Sequence, residues 1–241
     1  MNSRVAETKS GIEIEISVAG VLFDMDGVLV SSTLGDERCW TRWASHHGLS
    51  DTFDLRGTHG RRAVDTILEY LPNLTPEETA RHLAQLEASS AEEQSGVVAY
   101  PGASALLASI PPGRWTIVTS ASERTMRSRL SAVGITPPAQ TVGADRISKG
   151  KPHPEGYLMG AALLGQRPEE CLVIEDAPAG IRAGKTAGCR VLAVASSHSL
   201  DELQGADWIV ASIDQIGLAV NTHTDALKLR FPVLKSKTES A

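Results

Sequence analysis

Two aspartates, Asp24 and Asp26, stand one residue apart where the apolar run of "VLFDMDGVLVSS", Val21 to Ser32, comes to an end. Asp-Gly is ordinary turn chemistry, so a plain turn accounts for the pair, and a catalytic site accounts for it equally well. The rest of the chain supplies further polar groups in similar places. Thr119 and Ser120 close "RWTIVTS", Glu175 and Asp176 close "CLVIED", and between them "SKGKPHPEGY" carries Lys149 and Lys151. Each has a dull reading by itself: a helix N-cap, a solvated loop, a strand running into a capped helix. Jointly they place acid, hydroxyl, cation and acid at the ends of successive apolar runs. That convergence is the strongest functional signal in the sequence.

The elements that must position these groups follow from the apolar spacing. A buried strand is expected over Ser17 to Phe23, ending at "DMDG". From Thr33 to about Ser95 only helical patterning appears. "GDERCWTRWASHHG" puts Cys39, Trp40, Trp43 and Ala44 on one face, with His46 and His47 at its polar end. "RRAVDTILEYLP" spaces Val64, Ile67, Leu68 and Leu71 for a second helix, and Thr75 with Pro76 opens a third. After "YPGAS" strands and helices alternate: "RWTIVTS", "QTVGA", "CLVIED", "CRVLAVA" and a shorter "DWIVAS", separated by helices at "ERTMRSRLSAVG", "EGYLMGAALLG" and "PAGIRAGKTAG". Such alternation implies an α/β fold, a Rossmann-like parallel sheet with helices on both faces, into which a helical cap is inserted after the first strand. The expected division is a discontinuous core, residues 1–32 and 97–241, and a cap, residues 33–96. In sheets of this kind ligands bind beyond the carboxyl ends of the strands, where the polar groups named above fall. The tail, "LAVNTHTDALKLRFPV", alternates about a polar middle and reads as a terminal hairpin.

Bulk properties narrow the function classes. The chain has 241 residues, 41% hydrophobic and 22% charged, as in ordinary globular proteins. A net charge of −6 gives no support for nucleic-acid or membrane-surface binding, yet leaves room for a phosphorylated small molecule held by local cations and a metal. Cys39, Cys171 and Cys189 are odd in number and far apart, which fits neither a disulfide framework nor a zinc site and suggests a reducing compartment. The N-terminus lacks the apolar core of a signal peptide, and no apolar run is long enough to span a membrane. A cytoplasmic protein is expected; oligomeric state is not legible.

The four stretches, in this order and with a helical insert after the first, resemble the haloacid dehalogenase-like hydrolase superfamily from about residue 18 to residue 210; "FDMDGVLV" and "VIEDAPAGIRAGKTAGC" are especially close to family form. The resemblance implies phosphoryl transfer. Asp24 would be the nucleophile that forms an aspartyl-phosphate, and Asp26 the acid that protonates the leaving oxygen and then the base that activates water. For Asp26 to carry a proton near neutral pH its pKa must be raised, as crowded carboxylates do. Mg²⁺, a hard oxygen-binding cation, would be held by the Asp24 carboxylate, the Asp26 backbone carbonyl and Asp176, with Glu175 a water-mediated ligand or a partner behind the ligands. Ser120 would hold a phosphoryl oxygen. Lys151, preferred to Lys149 because "KPHPEGY" matches the family's KPxP form, would tie Asp24 to the phosphoryl group.

Within the superfamily, Asp26 argues against dehalogenases. The lack of any lysine between Lys9 and Lys149 argues against phosphonatases. A β-phosphoglucomutase-like reaction would need a cap histidine where Asp36 stands, and a cap lysine that is missing. "RGTHGRRAVDTILEYLP" and "GKPHPEGYLMGAALLG" look most like sugar and polyol phosphatases, including bacterial sugar phosphatases and the fungal glycerol-phosphate and 2-deoxyglucose-6-phosphate phosphatases. His59 and Arg62 fall on positions of that pattern and would choose the substrate from the cap, a small phosphorylated sugar or polyol. Arg61 reads equally well as a solvated first helical turn. Ser31, where many relatives have Asp, is the one departure and bears on how the first cap hinge is held. A non-catalytic phosphosugar-binding protein is the rival from another class.

Overall fold

The computed structural model describes residues 4–8, 11–220 and 226–236. Two larger sheets, a two-stranded ribbon and a helical block make up the described residues. Strands β1 (Arg4–Thr8) and β2 (Gly11–Val18) are followed by β3 (Gly20–Phe23) and a short β4 (Val30–Ser31). Helices α1 (Thr33–His46), α2 (Ala63–Tyr70) and α3 (Pro76–Glu92) come next, then β5 (Val98–Ala99) and α4 (Ala103–Ser109). The remainder alternates: β6 (Trp115–Ile117), α5 (Glu123–Ala132), α6 (Glu155–Leu163), β7 (Cys171–Glu175), α7 (Pro178–Thr186), β8 (Arg190–Val194), β9 (Trp208–Val210), β10 (Gly217–Val220), β11 (Leu227–Pro232) and β12 (Lys235–Ser236).

The central sheet has the order β12-β9-β8-β7-β3-β6; β12 is an antiparallel edge and the other five strands are parallel. Every residue of β3 and β7 is buried, because layers cover both faces of a parallel sheet. Leu172 and Ile174 belong to one apolar cluster with Val21, Phe23 and Ile117, while Val173 alternates to the other face with Leu22, Val191, Ile181 and Tyr157.

The expected strand over Ser17 to Phe23 is two strands in two sheets. β2 ends at Val18 and β3 begins at Gly20, where the absent side chain leaves room for Leu164, whose Cδ1 would lie 2.7 Å from a Cβ. The expected tail hairpin is present as β10 paired with β11; its connection, residues 221–225, lies outside the described residues. β11 then pairs with β2, and β2 with β1, in an antiparallel sheet of order β1-β2-β11-β10. Ile14, Ile16, Leu227, Leu229 and Phe231 cover one face of the core with it, so the "GIEIEIS" alternation, beyond the family resemblance, is structural. "QTVGA" is not a full strand: Val142 makes an isolated parallel bridge to Val118.

The helical block has an apolar cluster of its own, in which Cys39, Trp40, Trp43 and Ala44 of α1 meet Ile67 of α2 and Leu86 of α3. Leu68, expected in the α2 stripe, is 39% exposed instead. Thr75 caps α3 in a reciprocal capping box with Glu78, as the Thr-Pro start implies. β4 and β5, leading into and out of the block, pair antiparallel and tie its two ends together. Ser31 lies in this ribbon opposite Val98, where the chain enters the helical block.

Candidate active site

β3, β6 and β7 are adjacent and parallel, so their carboxyl ends deliver Asp24, Thr119–Ser120 and Glu175–Asp176 to one edge of the sheet. The Asp24 amide continues the ladder beyond β3 by donating to the Ile174 carbonyl at 2.9 Å. Immediately after it the chain reverses over Met25–Val30, with Gly27 at φ +84°. A Cβ at Gly27 would fall 1.8 Å from Asp176 Oδ2, so glycine both permits the turn and lets Asp176 lie against it.

Lys151 reaches this edge from the loop before α6. Its Nζ donates to Asp24 Oδ1 and Glu175 Oε1, each at 2.6 Å, and all three side chains are buried. Glu175 is fully engaged by protein: Oε1 accepts also from the Tyr157 hydroxyl at 2.9 Å, and Oε2 accepts from the amides of Asp176 and Ala177 at 2.9 and 3.0 Å. A Cβ at Gly180 would overlap this carboxylate, so the start of α7 is shaped to receive it. Of the two sequence readings for Glu175, the geometry favours the partner that fixes Lys151. Asp176 Oδ2 accepts from the Ser197 hydroxyl, which sits 2.7 Å from His198 Nδ1.

The floor of the site is over-supplied with negative charge. Asp24, Glu175 and Asp176 each place a ligand atom within 4.8 Å of the others, against one lysine. Burial raises the Asp24 pKa to about 7 despite the opposing Lys151 charge, and burial together with Glu175 and Asp24 holds Asp176 well above the ordinary range. Glu175 goes the other way: burial opposes ionisation, but Lys151 and the hydrogen bonds outweigh it. Buried carboxylates with two charges beyond their lysine are the donor set that a hard divalent cation fits.

Asp26 turns away from this floor. Its Oδ1 accepts from Ser32 Oγ at 2.5 Å and from Arg129 Nη1 at 2.7 Å. The carboxylate crowding expected around Asp26 is present in Asp36, but a buried arginine is inserted between the two. Arg129 Nη2 donates to Asp36 Oδ1 and, at 2.7 Å, to Ser90 Oγ; Ser90 donates in turn to Asp36 at 3.1 Å. Sequence reasoning missed Arg129. The signal was there: Met126 and Leu130 define the buried face of α5, and an arginine sits on it.

The sequence-selected residues of the helical block arrive beside the core but are already bonded. Arg62 forms a two-pronged pair with Asp65 at 2.9 and 2.7 Å and donates to the Ile147 carbonyl at 3.1 Å. It lies on Gly150, next to Lys151, where a Cβ would meet it at 2.6 Å. Arg61 pairs with Glu69 at 2.6 Å, the surface reading. Ser120 Oγ donates to the Gly60 carbonyl at 2.8 Å, and His59 Nε2 is buried with no hydrogen-bond partner. Asp24, Asp26, Ser120, Arg129 and Asp176 of the core and Asp36, His59, Arg61 and Arg62 of the helical block border one cavity of about 260 Å³, and Lys151 and Glu175 lie behind its lining.

A family model for haloacid dehalogenase-like hydrolases matches residues 18–188. The chain belongs to that family. Among these hydrolases it is similar to hexitol phosphatase A of Escherichia coli (strain K12), 39% identical over 213 residues that cover 86% of this chain and 97% of the relative. It is 32% identical over 233 residues to glycerol-1-phosphate phosphohydrolase 2 of Saccharomyces cerevisiae, covering 90% and 92% of the two chains. Among solved structures, β-phosphoglucomutase from Clostridium difficile superposes with a TM-score of 0.71 at 25% identity, covering 82% of this chain and 92% of that one. The relatives named for an activity on sugar or polyol phosphates lie in the branch to which the cap motifs pointed.

Proposed function

We propose that this protein is a Mg²⁺-dependent phosphatase that hydrolyses the monophosphate of a small sugar or polyol through an aspartyl-phosphate, with residues 33–96 acting as the cap of a core formed by 1–32 and 97–241. The carrying observation is Asp24 at the edge of the cavity, held from behind by the Lys151 ammonium that Glu175 also clamps. The two phosphatase relatives support the substrate class, and the three buried free cysteines support a reducing cytoplasmic compartment. No helix among the described residues is long and apolar enough to cross a membrane.

The Asp24 carboxylate attacks phosphorus as the bond to the leaving oxygen breaks, and Asp26 delivers a proton to that oxygen. Asp26, now a carboxylate, takes a proton from water; the resulting hydroxide attacks phosphorus, freeing phosphate and restoring Asp24. Asp24, Asp176 and the Asp26 carbonyl would hold the Mg²⁺, which when bound offsets charge on the phosphoryl oxygens. Lys151 keeps Asp24 aimed and neutralises charge at the phosphoryl group, while Glu175 and Tyr157 keep Lys151 in place. Ser120 exchanges its bond to Gly60 for one to a phosphoryl oxygen, which loosens the Thr58–Arg62 loop as substrate binds. His59 acts from that loop on substrate choice, and Arg62, bound to Asp65 and the Ile147 carbonyl, holds the loop in place. The histidine position of the mutase is taken by Asp36, tied to Arg129, which supports hydrolysis over isomerisation.

Phosphate release from mannitol, sorbitol, glycerol and hexose phosphates, with and without Mg²⁺, tests the reading. Mg²⁺-dependent release from one or more is expected. Isomer conversion without release would establish a mutase instead, and tight binding without turnover a phosphosugar-binding protein.

A further inference from the structure

The leaving-group end of the cavity contains a second cluster with no assigned task. Asp26, which protonates the leaving oxygen in the proposed reaction, is held by Arg129, and any leaving group must therefore lie beside Arg129 and its partners. Arg129 is 4% exposed, borders the cavity, and its Nε has no hydrogen-bond partner. That Nε is itself shielded from the cavity, so a ligand there meets the polar groups that Arg129 holds in place rather than this N–H. Asp36 presents an acceptor carboxylate from α1, and Ser32 and Ser90 present hydroxyls that already bond to it at 3.2 and 3.1 Å. Donor and acceptor groups thus alternate around one wall of the cavity.

The charges on this wall are balanced or negative. Arg61 pairs with Glu69, Arg62 with Asp65, and Arg129 with both Asp26 and Asp36. Glu87 and Asp145 border the same space. Each described arginine bordering the cavity is therefore already neutralised by a carboxylate, and no spare cation remains for a second anionic group on the substrate. A hydroxyl both donates and accepts, so it fits between Arg129 or a serine and Asp36; a phosphate or carboxylate has only lone pairs to present to the Asp36 carboxylate.

We propose that Asp36, Arg129 and Ser90 form a leaving-group subsite that reads hydroxyls of an uncharged polyol or sugar chain and rejects a second phosphate. Asp36 is the specificity-determining residue. This inference rests on the phosphatase reading and narrows it to monophosphates of neutral polyhydroxy compounds.

The test compares kcat/KM for fructose 6-phosphate and fructose 1,6-bisphosphate in the wild type, Asp36→Asn and Ser90→Ala, all in saturating Mg²⁺, with melting temperatures recorded for each. The wild type should favour the monophosphate by about 30-fold or more, and Asp36→Asn, by removing the repelling charge while keeping the shape, should cut that ratio at least about fivefold. Ser90→Ala removes one hydroxyl contact and no charge, so it should lower kcat/KM for the monophosphate a few-fold and leave the ratio nearly unchanged. A wild type that turns over both substrates equally, or a ratio that is the same in Asp36→Asn as in the wild type, overturns the subsite. Turnover of p-nitrophenyl phosphate by the wild type separates the two levels. If even this generic ester is untouched, the phosphatase reading fails and the subsite falls with it; if it is cleaved while the ratio does not respond to Asp36, only the subsite falls.

Discussion

The floor and the roof of the cavity each set carboxylates around one buried cation; the carboxylates are fully buried on the floor and half-buried at the roof, and the charge balance differs. On the floor, Asp24, Glu175 and Asp176 face Lys151 alone. At the roof, Asp26 and Asp36 face Arg129, with Ser32 and Ser90 filling in as donors. The floor is assembled by neighbouring strands of one sheet and is short of positive charge, as a place for a dication should be. The roof spans α1, α3 and α5 and, with two carboxylates on one arginine, has one negative charge left over against the floor's two. The comparison teaches that a metal-dependent centre and a merely polar wall can use the same residue types, and that the charge left over separates them.

The largest effect should come from the floor. Asp24→Asn keeps the shape but removes the nucleophile, and kcat should fall by at least about 10⁴-fold with the fold intact. Phosphate release under single-turnover conditions, with melting followed in parallel, is the measurement; activity within tenfold of wild type would remove Asp24 from the nucleophilic role and with it the functional contrast between floor and roof.

At the roof, Arg129→Ala strands two carboxylates and should cost about 3–5 kcal/mol of stability. Denaturant unfolding of the metal-free protein measures it. On the floor, Asp176→Asn removes a carboxyl that has no cation of its own and should raise the metal-free melting temperature while abolishing the stabilisation by Mg²⁺. If Arg129→Ala unfolds at wild-type denaturant concentrations, the roof is not the arginine-held cluster its contacts describe.

The floor was legible in the sequence because its acids and hydroxyl follow apolar strands and its lysine lies in the "KPHPEGY" loop, and both are local signals. Asp24, Ser120, Lys151, Glu175 and Asp176 all reach the expected edge. The roof was not, because Arg129 meets Asp26 and Asp36 across long stretches of chain and across the boundary between core helix and helical block. No spacing rule links residues on α5 to the turn after β3. Similarly, "GIEIEIS" displays period-2 alternation, but nothing local tells which sheet it joins or that it ends at Val18, before β3 begins at Gly20. Side-chain pairing was hidden too: Arg62 was placed correctly near the site, whereas its bidentate bond to Asp65 emerges only when α2 has formed.

The imbalance on the floor also carries a pH signature. Asp24 titrates near 7 when buried without metal, whereas an unfolded aspartate titrates near 3.8, so folding takes up a proton in between. The folded state therefore binds more protons than the unfolded one, and stability is highest below pH 4 with respect to this group and is lost as pH climbs through about 7. Raised Asp176 acts in the same direction. Metal binds the deprotonated acids, so the melting-temperature increment caused by Mg²⁺ should grow from pH 5.5 to pH 7.5. Scanning calorimetry at several pH values measures both slopes. A metal-free melting temperature that rises over this interval in proportion to Asp24 and Asp176 ionisation would show that the floor has found its compensation elsewhere.

The smallest effect, and the finest probe, belongs to Arg62, which connects the helical block to the floor without belonging to either cluster. One N–H on each of its nitrogens is bonded, to Asp65 and to the Ile147 carbonyl, and its stem lies on Gly150 beside Lys151. An arginine so employed acts first by holding the His59–Gly60 loop over Ser120 and only second by touching substrate. Arg62→Ala should then raise KM about threefold to tenfold for sugar phosphates and for aryl phosphates alike, since loop placement serves the phosphoryl group common to both. Arg62→Lys should not restore it, because an ammonium cannot span Asp65 and Ile147 with the planar fork that both contacts use. A loss confined to sugar phosphates would show instead that the guanidinium leaves Asp65 when substrate arrives and joins Asp36 and Arg129 in reading hydroxyls. The reading of the leaving group would then extend from the roof along the whole wall of the cavity.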